Sequence, residues 1–327
     1  MIVVSQSYDH LAYGLRVRAD RAIPGLFTCP TEPADRADIL VRFDAAAAEA
    51  VVAQATWSPH PTLVDSRLED AYTARVDTRQ SADGTWTMLE YCDGARFIVR
   101  SDGGALFVLP PPGMEHESVC TYLVNPVLAL CLRFRGSTCL HASSVVIDDR
   151  AVLFVAPSGS GKSSLAYAFG RHGHRILTDD VAALQPGPEP VVHPGNPRLR
   201  LWPWTVDDLL GDVDALPRIS GDWEKRRFDV PHFDPTPAAI AGIVVLKDFS
   251  PETILREAGT PVGLLALLSN VYLDHLMDVA TRRRDFAMLA RLVEQVPVAH
   301  LHRRSGLEHV DESVDAVIAW TRTFAAL

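Results

Sequence analysis

Apolar residues keep two different rhythms along this chain. Up to about residue 110 they alternate with polar ones in short segments, at 39–43, 86–91, 96–100 and 105–109. That period of two predicts strands. Asp93-Gly94 and Asp102-Gly103-Gly104 separate the last three segments and predict hairpin turns. Residues 45–54 predict a helix. Further on, 119–135 reads as a buried helix leading into a strand at 139–147. Asp148-Asp149-Arg150 turns that strand into a second apolar run, 151–155. A short strand at 175–180 ends in two acids, and 240–246 reads as another core strand. Spacing of 3.6 predicts helices over 264–277, 285–296 and 312–326. Pro110-Pro111-Pro112-Gly113 is the clearest breaker. It divides the chain into a β-rich domain, 1–112, and an α/β domain, 113–327.

The run 151–155 leads directly into Ala156-Pro157-Ser158-Gly159-Ser160-Gly161-Lys162-Ser163, and a helical segment begins at Ser164. Strand, glycine-rich turn, Lys-Ser and helix is the context of a phosphate-binding loop. Small residues let successive backbone N–H groups curl around an anion, and the helix start adds its positive dipole end. Lys162 would reach β- and γ-phosphate oxygens, and the Ser163 hydroxyl would ligate Mg²⁺. Ala156 stands where the motif has its first glycine, so that turn must accept a Cβ.

Asp179 and Asp180 at a strand end suit the two acidic tasks of phosphoryl transfer, one at the metal and one at the nucleophile. An exposed acidic turn is the competing reading. His141 heads the strand before the loop strand. His174 and His193 read as packing or capping groups. Arg282-Arg283-Arg284 reads as a solvated helix face ahead of an acidic-substrate site, and Trp202 and Trp204 beside prolines as packing ahead of adenine stacking.

Composition narrows the partners. A formal charge of −10 over 327 residues argues against a nucleic-acid or membrane-surface binder. Five cysteines without a CxxC pair or zinc spacing predict reduced thiols. Residues 1–6 lack the basic stretch and apolar core of a secretory leader, and no apolar run approaches bilayer-spanning length. The expectation is a cytoplasmic protein.

His141-Ala142-Ser143, the loop, Gly173-His174-Arg175 and Asp179-Asp180 together resemble the C-terminal catalytic domain of HPr serine kinase/phosphorylase. The blocks agree over about 45 residues without a gap. Pro197-Arg198-Leu199-Arg200-Leu201-Trp202-Pro203 and Lys225-Arg226 look like signatures of diverged HPr-kinase-like proteins, which often accompany biosynthesis of ribosomal peptides, lasso peptides among them. The resemblance implies a P-loop kinase core of the HPr kinase/phosphoenolpyruvate carboxykinase type, with ATP and Mg²⁺ as cofactors. It implies that Ala156, Ser158, Gly159, Ser160, Gly161, Lys162, Ser163 and Ser164 hold the nucleotide, with Ser163 and Asp179 at the metal. Asp180 would be general base for a serine hydroxyl, and His141 would contact the phosphates. Arg200, Lys225 and Arg226 become candidates to neutralise phosphate. The implied reaction is serine phosphorylation of a peptide, with homo-oligomeric rings as the family's assembly. Two departures weigh against HPr as substrate. Ser164 replaces a glutamate after the loop serine, and Arg198-Leu199-Arg200 replaces a Leu-Glu-x-Arg-Gly signature. A kinase of HPr or of a small-molecule hydroxyl and a non-catalytic, nucleotide-gated peptide-binding protein are the rival readings. The β-rich domain would serve as a cap or hold a peptide by strand addition.

Overall fold

Alternation within single strands explains how the catalytic-type motifs come to sit in a layered core. In this computed structural model, residues 7–30, 36–59, 76–219, 223–231 and 233–325 are described. The chain divides into two units.

Unit one comprises the chain up to Ser137 together with Leu273–Met277. Its strands are β1 (Tyr8–Ala12), β2 (Leu15–Ala19), β3 (Phe27–Cys29), β4 (Ile39–Arg42), β5 (Trp57–Pro59), β6 (Val76–Ser81), β7 (Trp86–Tyr91), β8 (Arg96–Arg100) and β9 (Ala105–Leu109). Among the described residues they form one sheet in the order β3-β1-β2-β4-β9-β8-β7-β6-β5. The predicted hairpins β7–β8 and β8–β9 are present. Helix α1 (Ala45–Gln54) starts at Asp44, whose side chain accepts from the Ala47 amide, and buries Ala48 with Met88, Ile98 and Leu109.

The boundary expected at 112/113 falls inside this unit. Helices α2 (His116–Tyr122) and α3 (Leu128–Phe134), joined by a π-helical turn containing Pro126, pack with the sheet. Tyr122 stacks near Tyr91 and Phe97 and donates to Asp93 at 2.7 Å. A Cβ on Gly103 would lie 2.2 Å from the Cys131 carbonyl, so this turn and α3 touch backbone to backbone.

Unit two holds β10 (Thr138–Ile147), β11 (Arg150–Val155), β12 (Ile176–Thr178), β13 (Val181–Gln185), β14 (Val191–His193), β15 (Arg198–Leu201), β16 (Arg226–Asp229), β17 (Ala238–Phe249), β18 (Ile254–Glu257) and β19 (Val298–Arg303). The main sheet runs β11-β10-β13-β14-β17-β19-β18, with β12 also on β10 and β11 also on β17. β17 is shared. Its first residues pair with β14, and from Ile240 onward it lies parallel to β11 on one edge and, from Ile243, to β19 on the other. β15 and β16 form a separate ribbon.

Helices cover both faces: α4 (Lys162–Arg171), α5 (Pro203–Leu210) and α8 (Val310–Ala325) on one, α6 (Thr260–Leu268) and α7 (Val279–Gln295) on the other. Val152 and Phe154 of β11 face the first set, and Ala151, Leu153 and Val155 the second. Val244 and Leu246 alternate with Ile243 and Val245 of β17 in the same way. A strand buried on both faces reads as a continuous apolar run. This is a mixed α/β architecture.

Two predicted helices change bounds. The stretch 264–277 is helical only to Leu268, because Ser269 and Asn270 side chains bond back to the Leu265 and Ala266 carbonyls and close the helix end. The helix expected from 285 begins at Val279, capped by Asp278. Arg282–Arg284 form its exposed face, so the apolar rhythm starts late. None of the five cysteines forms a disulfide. Among the described residues, no helix is long and apolar enough to cross a membrane.

Candidate functional site

The loop Ala156–Gly161 joins β11 to α4 and lines a cleft of about 380 Å³ in unit two. Gly159 and Gly161 have φ of 78° and 82°, the left-handed conformation that glycine adopts without a Cβ penalty. Ala156 has no positive φ, which is why a Cβ is tolerated there; its side chain is buried in the core and does not line the cleft. Ser158, Gly159, Ser160, Gly161, Lys162, Ser163 and Ser164 all line it. The Lys162 Nζ donates to the carbonyls of Ala156 (2.7 Å) and Pro157 (3.0 Å). Burial pushes Lys162 down to about 8, with Asp180 and Asp179 pulling the other way.

Asp179 is buried and fully engaged. Its Oδ1 accepts from Ser143 Oγ (2.5 Å) and Ser163 Oγ (2.9 Å), and its Oδ2 from the Arg200 amide (3.2 Å). Burial and the neighbouring Asp180 charge raise its pKa to about 6, against the pull of these donors. Asp180 lines the cleft beside it, with φ of 65°. A non-glycine residue in that region costs about 1–3 kcal/mol, and such strain gathers at functional sites. Burial opposes its ionisation, but Arg200, Lys225 and Lys162 together outweigh this and hold its carboxyl below the usual range. Arg200 Nε lies 3.9 Å from Asp180 Oδ2. Unlike an exposed acidic turn, Asp180 faces a concave, cationic surface, while Asp179 lies buried behind it and does not line the cleft.

His141, paired in register with Val181, reaches the same cleft and stacks on Tyr272 with ring centroids 5.7 Å apart. Burial, helped by Lys162 and Lys225, pushes it down to about 3, so its imidazole is neutral at pH 7. Lys225 lines the cleft with its Nζ 4.5 Å over the Trp202 ring.

Arg226 does not join them. It is buried in contacts of its own, donating to the Val213 and Glu224 carbonyls and to Asp214, each at 3.0 Å. Lys225 precedes β16 and lines the cleft, whereas Arg226, its first residue, is held away by the Val213, Glu224 and Asp214 acceptors. His174 bonds the Val146 carbonyl and packs on Phe169, and His193 bonds Gln185. Trp202 and Trp204, expected to pack, stack on each other at the cleft wall, and Trp204 is 58% exposed.

Three residues of the site are not evident from the sequence by themselves. Ser143 is visible there only as part of a motif. Phe249 and Arg303 stand at the ends of β17 and β19, and both line the cleft. Arg303 donates to the Ser160 carbonyl at 2.7 Å, and its guanidinium lies 5.3 Å from the Phe249 ring centroid. The available signal is a strand-like alternation, Val298, Ala299, Leu301, ending in Arg303-Arg304.

The oxygen donors Ser163 and Asp179 suit a hard cation such as Mg²⁺. Among the described residues no group of three or more His, Cys, Asp or Glu could hold a metal by itself. An ion here would therefore complete its shell with phosphate oxygens and water, as Mg²⁺ does in phosphotransferases.

No family model matches the chain, and no curated protein matches it in sequence. Among solved structures, the Hpr(Ser) kinase/phosphatase from Coxiella burnetii is similar, with a TM-score of 0.32 at 14% identity over 57% of this chain and 97% of that one.

Proposed function

We propose that this protein is an ATP-dependent kinase that transfers the γ-phosphoryl group to a serine hydroxyl of a peptide. The observation that carries the reading is the network beside the phosphate loop. One buried carboxylate, Asp179, fixes the Ser163 hydroxyl, and a second, Asp180, is strained into the same cleft among cations.

The triphosphate lies along the loop amides of 158–163, and Lys162 exchanges its two carbonyl acceptors for β- and γ-phosphate oxygens. Mg²⁺ would be held by Ser163, with Asp179 behind it, and would supply neutralisation of phosphate charge. Asp180 orients the acceptor hydroxyl and takes its proton. The bond from the γ-phosphorus to the β,γ-bridging oxygen breaks, leaving ADP, and a bond to the serine oxygen forms. A low-pKa carboxylate is adequate for this role, because the loose transition state of phosphoryl transfer asks little of a base. Arg200 and Lys225 offset charge on the transferring group, and neutral His141 donates a hydrogen bond to phosphate. Positioning and charge neutralisation supply most of the acceleration.

The peptide acceptor, and within that class a lasso-type precursor from a ribosomal natural-product pathway, rests on the motif resemblance. The test is mass spectrometry of a panel incubated with the protein, Mg²⁺ and ATP: HPr, precursor peptides and small alcohols. One phosphate gained on a peptide serine, abolished by Asp180→Asn with ATP binding retained, is expected. ATP binding without transfer to any peptide would refute the peptide assignment.

A further inference from the structure

The far side of the cleft takes no part in phosphoryl transfer at Asp180. β11, β17 and β19 are parallel neighbours, and their carboxyl ends carry the phosphate loop, Phe249 and Arg303 in turn. Ligands of open α/β sheets bind outside these ends. Asp179 and Asp180 come after β12, which lies on the opposite side of β11, beyond β10. A triphosphate with its γ end at Asp180 therefore directs its nucleoside toward β19, two strands and about 10 Å from β11.

Phe249 and Arg303 are cross-strand partners. The phenyl ring is 64% exposed, and the guanidinium over it is tethered to the loop through Ser160. Arg303 Nε is buried and meets no hydrogen-bond acceptor among the described residues. An exposed aromatic ring beside a fixed cation with a spare donor points to a flat, polar-edged ligand. The other aromatic pair is already committed, since Trp202 carries Lys225 and stacks on Trp204.

We propose that Phe249 and Arg303 form a stacking shelf for the nucleobase, so that the site takes nucleoside triphosphates through their phosphates and the π-face of the base, with little choice between purines. The inference rests on the nucleotide reading of the phosphate loop. Every base offers a π-face, and stacking on an aromatic side chain is sequence-tolerant. Arg303, held over the ring, adds a cation to the same shelf.

Isothermal titration calorimetry with Mg²⁺ and ATP, GTP or inorganic tripolyphosphate tests this on the full chain. Phe249→Ala is expected to weaken ATP and GTP alike, by roughly tenfold, and to leave tripolyphosphate unchanged. The ring is largely exposed, so its truncation does not threaten the fold. Tight ATP binding untouched by Phe249→Ala, or lost instead in Trp204→Ala, would overturn the shelf alone. Wild-type protein that binds neither ATP nor tripolyphosphate would overturn the nucleotide reading beneath it.

Discussion

Gly159→Ala and Gly161→Ala form a matched pair that isolates one contact. Both glycines sit near φ 80°, so alanine at either position carries the left-handed penalty of about 1–2 kcal/mol. A Cβ at 159 meets nothing within 4 Å, whereas one at 161 comes within 2.9 Å of Arg303 Nη1. The arginine can swing away, and the loss is then its bond to the Ser160 carbonyl. A charged donor in a half-buried setting makes that worth about 1.5 kcal/mol. At about 2–4 °C per kcal/mol for a unit of this size, Gly161→Ala should melt roughly 3–6 °C below Gly159→Ala. The same difference should appear in urea, as a lower midpoint with an unchanged slope. A double-mutant cycle sharpens the test, because in an Arg303→Ala background the two alanine variants should become equal. Equal melting in the wild-type background, or a gap that survives removal of Arg303, would refute the argument.

The same geometry sets three further outcomes. Asp179→Asn should abolish the strengthening of ADP binding by Mg²⁺, measured calorimetrically against EDTA; undiminished Mg²⁺ dependence would show that Asp179 does not serve the metal. Lys162 in the free protein titrates near 8, below its ordinary 10.5, so its cation is present below that pH and lost above it. ADP affinity should therefore fall as pH rises through about 8 to 10, and a flat profile would contradict the assignment. The unfolded chain holds this proton up to its ordinary 10.5, so the group's contribution to stability rises with pH between about 8 and 10.5 and is constant and unfavourable below about 8. Arg226→Ala should lower stability by about 2 kcal/mol through its three lost acceptors while leaving the KM for ATP unchanged. A large KM effect with normal melting would return Arg226 to the site.

The phosphate loop and the acid pair are legible in the sequence because their information is local. Residues 151–180 run strand, loop, helix, short strand and acids with no long-range partner needed to recognise them. The missing parts are non-local. β19 supplies Arg303 from more than a hundred residues further on, and only sheet order brings it to Ser160. β13, β14 and β18 are too short for periodicity to reveal. Arg226 misleads because adjacency in sequence is not adjacency in space; its acceptors Val213 and Asp214 lie more than ten residues earlier in the chain. The boundary at 112 fails similarly. A Pro-Pro-Pro-Gly breaker marks a change of direction, but α2 and α3 return to the sheet that precedes them.

β17 joins strands that the ribosome delivers at very different times. β11 emerges with its apolar residues and one backbone edge ready, yet its parallel partner ends roughly ninety residues later. At elongation rates of about 5–20 residues per second, the interval is on the order of ten seconds. During it the nascent chain presents an unpaired, aggregation-prone edge immediately before the phosphate loop. A fragment ending before residue 238 holds that state permanently, with the phosphate loop translated, β11 paired to β10, and nothing for its other edge to join. Expression trials of such truncated forms should therefore fail by aggregation even though the phosphate loop and the acid pair are complete.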